Sequence, residues 1–143
     1  MEKVNYRIIH SILFPDKINN LFVRLDRPNL VKIGTAVQEG WKNAAAKARL
    51  NIEVEGLPPI SHFSFQDSNS QAMMTLFVQE MLKKGFLASN RFYASYAHQM
   101  ELVESYLCAV KDVFQFLSKA QEHCNIDKNI IGNVAKPGFH RIT

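Results

Sequence analysis

Leu30, Ile33, Val37, Trp41, Ala44 and Ala48 recur three or four residues apart, with Lys32, Gln38, Glu39 and Lys42 between them. That spacing lays an apolar stripe along one side of a helix and predicts an amphipathic helix over about 29–49. Asp26 stands where an N-cap belongs, and Pro28 falls in the first turn. Gly34 and Gly40 weaken the helix, because glycine has the most backbone freedom to lose. Upstream, Tyr6, Ile8, Ile9, Ile12, Leu13 and Phe14 form one apolar patch that Pro15 interrupts. Leu21, Phe22, Val23 and Leu25 form a second, which Pro28 closes. Periodicity does not choose between strand and helix for either patch.

Beyond Asn51 the period changes from helical to alternating. Ile52 and Val54 face one way and Glu53 and Glu55 the other, the pattern of a half-buried strand. Gly56-Leu57-Pro58-Pro59 reads as a tight loop. After it Phe63 and Phe65 mark one face of a second strand, opposite Ile60, His62 and Ser64. Two strands around a short loop predict an antiparallel pair. Asp67 to Ser70 offers N-cap chemistry for a helix over 72–84. Lys83 and Lys84 suit its negative end, and Gly85 suits a left-handed C′ position. Met73, Met74 and Met81 on this helix read as core packing. Phe86–Ala88 and Phe92–Ala97 are strand candidates around a polar Ser89-Asn90-Arg91 loop. Val103, Tyr106, Leu107, Val110, Phe114 and Leu117 then define a last helix from His98 or Gln99 to Glu122. Trp41 and Phe114 are expected to share one core with Leu76 or Phe77. The tail, 123–143, is polar with a Pro137-Gly138 turn. The fold class is therefore α+β: an antiparallel sheet of about three to four strands with helices packed on one face.

With 143 residues, 47% hydrophobic and 21% charged, the chain has the composition of one globular domain. No apolar run is long enough to span a membrane, and the first residues lack the pattern of a signal peptide. The net charge of +4 is uneven: residues 1–50 carry nine Lys/Arg against four Asp/Glu, whereas 51–122 carry five against eight. A basic front end could meet an acidic partner or nucleic acid, but a solvated helix face is the favoured explanation. No base-reading pattern is present, so nucleic acid is not an expected partner. Cys108 lies in an apolar helical run and reads as a buried small hydrophobe. With Cys124 it forms no disulfide pattern, which favours a reducing, cytoplasmic setting.

Self-contained chemistry is absent from the pattern. The histidines 10, 62, 98, 123 and 140 have no metal-ligand spacing, and no phosphate-cradling or nucleophile-elbow motif occurs. His62 reads as a packed, hydrogen-bonded histidine, and His123-Cys124 as a solvated helix end. Glu53 and Glu55 read as an exposed strand face.

Several blocks taken together carry a resemblance. They are Ile33-Gly34 with Val37-Gln38 and Gly40; Ile52 to Phe65; Thr75 to Gly85; Ser95-Tyr96-Ala97-His98; and Pro137 to Thr143. In this order and spacing, residues 28–143 resemble the C-terminal small domain of class III aminotransferases, in the glutamate-1-semialdehyde aminomutase-like branch. The resemblance implies a pyridoxal-phosphate enzyme of fold type I, a homo-oligomer that transfers an amino group through a lysine Schiff base. In that family the lysine lies in a large domain upstream. Lys83 and Lys84 do not sit in its motif, so the chain is expected to be a C-terminal fragment whose partner is that large domain. Alone it is expected to be inactive, with no catalytic residue and no bound cofactor. Residues 1–27 match nothing in the family and form a junction segment, 28–143 the domain proper. The Ser89–Phe92 loop corresponds to one that approaches substrate, which makes Asn90 and Arg91 the substrate-side candidates. Arg91 would meet a carboxylate or remain a solvated loop arginine. The loop lacks the glutamate of the aminomutases, which counts against mutase activity in the parent. His98 is expected to cap the last helix, and Arg141 to pin the tail or face the missing domain. Without the large domain, the apolar residues of 1–27 are expected to drive two-fold self-association or to fold back over the domain. The alternative is a stand-alone α+β interaction module with a basic N-terminal region.

Overall fold

A computed structural model describes the backbone of residues 17–136 and the side chains of residues 28–136. The expectations for the apolar side chains of 1–27, for the Pro137-Gly138 turn and for Arg141 lie outside the described residues. The elements are α1 (Lys17–Ala48), β1 (Ile52–Leu57), β2 (Ile60–Phe65), α2 (Ser70–Lys83), β3 (Arg91–Tyr93), α3 (Met100–Glu122) and a short α4 (Ile126–Asn129). The strands form one antiparallel sheet in the order β1–β2–β3, with the helices against one face: an α+β fold.

Period-two alternation builds the sheet. Val54 pairs with Phe63 and Ile52 with Phe65 on the inner face, while Glu53, Glu55 and Leu57 pair with Ser64, His62 and Ile60 on the outer one. Phe63 is the centre of the core. Its ring lies 4.9 Å from Trp41, 5.2 Å from Phe77, 5.5 Å from Phe65 and 5.7 Å from Phe114, each pair near edge-to-face. Trp41, Phe63, Leu76, Phe77 and Phe114 are all fully buried. The expected stripes of α1 and α3 meet there, and Trp41 Nε1 donates to Tyr106 Oη at 3.0 Å across the helix pair. Burial pushes the Tyr106 phenol up to about 12, although the Trp41 bond pulls the other way.

Two helix glycines serve close approach. A Cβ on Gly34 would sit 1.6 Å from the Pro58 carbonyl oxygen, so the β1–β2 turn rests directly on the α1 backbone. Gln38 Nε2 reinforces this seat by donating to Gly56 O at 3.0 Å. A Cβ on Gly40 would meet the Leu107 side chain first, at 2.4 Å.

Several local expectations are corrected. Asp26 is not an N-cap: α1 begins at Lys17 and runs through Pro28, which forgoes one helical hydrogen bond. The Asp67–Ser70 caps are unused, since α2 starts at Asn69 with no side-chain cap bond. Phe86–Ala88 is not a strand, because its backbone groups are spent locally: Phe86 N on Met81 O and Ala88 N on Phe86 O. The strand expected over 92–97 pairs only as Arg91–Tyr93. β2 has ended at Ile60 by then, and Ala94 N closes on Pro59 O at 2.8 Å. Cys108 is exposed rather than buried, lying about 200° around α3 from Val110. Among the described residues no helix is long and apolar enough to cross a membrane.

Candidate functional site on the open sheet face

With the helices on one side, the other face of the sheet stands open, and strand register sorts its side chains into rows. Glu55, His62 and Arg91 lie side by side across the three strands, and so do Leu57, Ile60 and Tyr93. The first row is ionic. His62 Nε2 is 3.1 Å from Glu55 Oε2, and the Arg91 guanidinium has no partner among the described residues. The second row is apolar and wet: Leu57 is 73%, Ile60 56% and Tyr93 57% exposed. Between β2 and β3 the rows enclose a shallow cleft of about 250 Å³ lined by Ile60, Ser61, His62, Arg91 and Tyr93. Its floor is rigid. Ser61 is buried, and its Oγ donates to Pro58 O at 2.9 Å.

The two substrate-side candidates separate here. Asn90 is a structural pin: its carbonyl accepts from Phe63 N at 3.0 Å and its Nδ2 donates to Phe63 O at 3.2 Å. The Asn90 backbone carbonyl and its side-chain amide nitrogen are thereby both tied to Phe63 of β2. Arg91 is the first residue of β3, not a loop residue, and points to the open face. Chemically the cleft offers an exposed cation, unpaired among the described residues, beside an aromatic and an aliphatic wall, suited to an anion on an apolar body. The alternation of β2 placed Ile60 and His62 opposite the phenylalanines. The register of β3 against them had no sequence signal.

Among the described residues no second constellation competes. Ser95 Oγ lies 3.2 Å from His98 Nδ1, but that nitrogen already accepts the Ser95 backbone N–H at 3.0 Å. The pair closes a turn. His98 therefore does not cap α3, whose N-cap Gln99 receives no side-chain bond. Its ring packs on Phe92, 5.0 Å between centroids. His62 is hydrogen-bonded as expected, but half-exposed on the open face. Among the described residues no group of three His, Cys, Asp or Glu is placed to hold a metal ion.

The cofactor that the resemblance implies needs a lysine amine facing a pocket. No lysine lines the cleft. Lys83 Nζ is 2.6 Å from Glu80 and Lys84 Nζ 2.9 Å from Asp112, both on the surface. The described residues do not fit pyridoxal phosphate. No family model matches the chain, and no curated protein or solved structure matches it.

Proposed function

We propose that this chain is the C-terminal small domain of a pyridoxal-phosphate-dependent class III aminotransferase of the glutamate-1-semialdehyde aminomutase-like branch, completed by a large domain that supplies lysine and cofactor. The observation that carries the reading is the interlock of the resembling blocks. Gly34 of the first block receives the Pro58 carbonyl of the second, Gln38 donates to Gly56, and the third block contributes Leu76 and Phe77 to the same core. The first three of the ordered blocks thus pack directly on one another.

In this reading the open sheet face turns toward the large domain. Leu57, Ile60 and Tyr93 form the apolar contact row, and Arg91 is left to meet an anionic group at the domain junction, where ligand sites commonly lie. Amino-group transfer belongs to the whole parent, acting as a homo-oligomer. The free thiols of Cys108 and Cys124 suit a cytoplasmic setting. The test is reductive trapping: the chain alone is mixed with pyridoxal phosphate and borohydride, then weighed by mass spectrometry. Scattered substoichiometric labelling of surface lysines is expected. A stoichiometric adduct on one lysine would overturn the division of labour.

A further inference from the structure

After α4 the chain turns back and lies along the outside of α2. Three α2 side chains four residues apart hold it. Gln79 Nε2 donates to Asn129 O at 2.9 Å, and Gln79 Oε1 accepts from Ile131 N at 2.7 Å. One turn on, Thr75 Oγ1 accepts from Ala135 N at 3.0 Å, and a turn further Gln71 Nε2 donates to Ala135 O at 2.7 Å. Positions 71, 75 and 79 share one helix face. Every bond from that face to the strap goes to its main chain, while Thr75 Oγ1 also donates to Gln71 O and Gln79 Nε2 to Glu80 Oε1 within α2.

Among the described residues little else holds the strap. Residues 131–136 are all exposed, Ile131 at 78%. Apolar anchoring stops at Ile126, which is buried, and Ile130, which is half-buried. Each net hydrogen bond holds back an opening equilibrium by about two- to twelvefold, and the backbone entropy of the exposed residues works against it. Such a segment sits at the low end of the range of local opening free energies.

We infer that residues 131–135 are a detachable clasp, which leaves Gln71, Thr75 and the Oε1 of Gln79 as one unit while the domain stays folded. Residues 126–130 remain in place as the hinge base.

Amide hydrogen exchange on the full chain, read residue by residue by NMR with and without low urea, tests this. The expected result is measurable protection of Ile131 and Ala135 that is insensitive to low urea and well below that of Phe63 and Phe114. Thr75→Val, which removes the acceptor of Ala135 N and the donor to Gln71 O inside α2, should speed exchange at both Ala135 and Ile131 by about two- to twelvefold and leave Phe63 unchanged. Three results would overturn the inference. They are no protection at either amide, protection equal to Phe63 with the same urea dependence, or acceleration at Ala135 alone.

Discussion

Replacing Gly34 by alanine sets two effects against each other. In an ordinary helix interior, alanine gains about 1 kcal/mol over glycine. Here the new methyl would lie 1.6 Å from the Pro58 oxygen and 2.1 Å from its carbonyl carbon. Carbon atoms rest about 3.5–4.0 Å from their neighbours, so the β1–β2 turn and α1 must part by about 2 Å. The obstacle is backbone, fixed by Gln38 and Ser61, and no rotamer change relieves it. Overpacking of this kind costs about 1–3 kcal/mol and more where nothing can yield, so a net loss of about 3 kcal/mol is expected. Gly40→Ala is the internal control. The atoms nearest its methyl belong to the flexible Leu107 side chain rather than to backbone, and a loss below about 1.5 kcal/mol is expected. Urea titration with a slope of about 1–3 kcal/mol/M reads both variants. A stabilised Gly34→Ala, or one no worse than Gly40→Ala, would refute the direct seat of the turn on α1.

Tyr106→Phe should cost about 1–3 kcal/mol, because the fully buried Trp41 Nε1 loses its acceptor; an unchanged denaturation midpoint would mean that the bond is not made. The raised Tyr106 value also predicts alkaline destabilisation. The unfolded chain ionises near pH 10 and the folded one near 12, so stability is constant below 10 and falls by about 2–3 kcal/mol toward 12. Melts of wild type and Tyr106→Phe over that window should converge as pH rises. Arg49 and Cys124 hold φ of +56° and +54° just beyond α1 and α3, so Arg49→Gly and Cys124→Gly should each stabilise by up to about 1 kcal/mol, and Gly85→Ala should destabilise by a similar amount. Calorimetric melting temperatures check all three. Phe114→Ala should cost about 3–5 kcal/mol in a denaturant titration, since its ring closes the aromatic cluster around Phe63.

The parts of the fold that sequence discloses are those that bury one side chain in every turn or every second residue. The stripes of α1 and α3 and the alternation of β1 and β2 are such patterns, and Trp41, Phe77 and Phe114 fall in the core they imply. Helix ends were legible only where the left-handed residue is glycine, as at Gly85. α1 and α3 end by the same pair of backbone bonds, but with Arg49 and Cys124 in that conformation, and nothing in those residue types announces it. Register was not legible for β3. Three residues carry too little pattern, and their pairing is set by Asn90 gripping Phe63. The candidate site was half visible: Arg91 stood out as a cation in a loop, whereas its neighbours Ile60, His62 and Tyr93 assemble only through register. The clasp on α2 was invisible, because its bonds run from Gln71, Thr75 and Gln79 to a backbone 50 to 64 residues away.

The central claim is that this domain works as part of a larger aminotransferase, and it is tested most directly by sequencing the DNA upstream of the Met1 codon. The expected result is coding sequence for a fold type I large domain with its Schiff-base lysine, continuous with this frame or separated from it by a single disruption. A promoter and ribosome-binding site directly before Met1, with no such coding sequence upstream, would contradict it and favour a stand-alone interaction module.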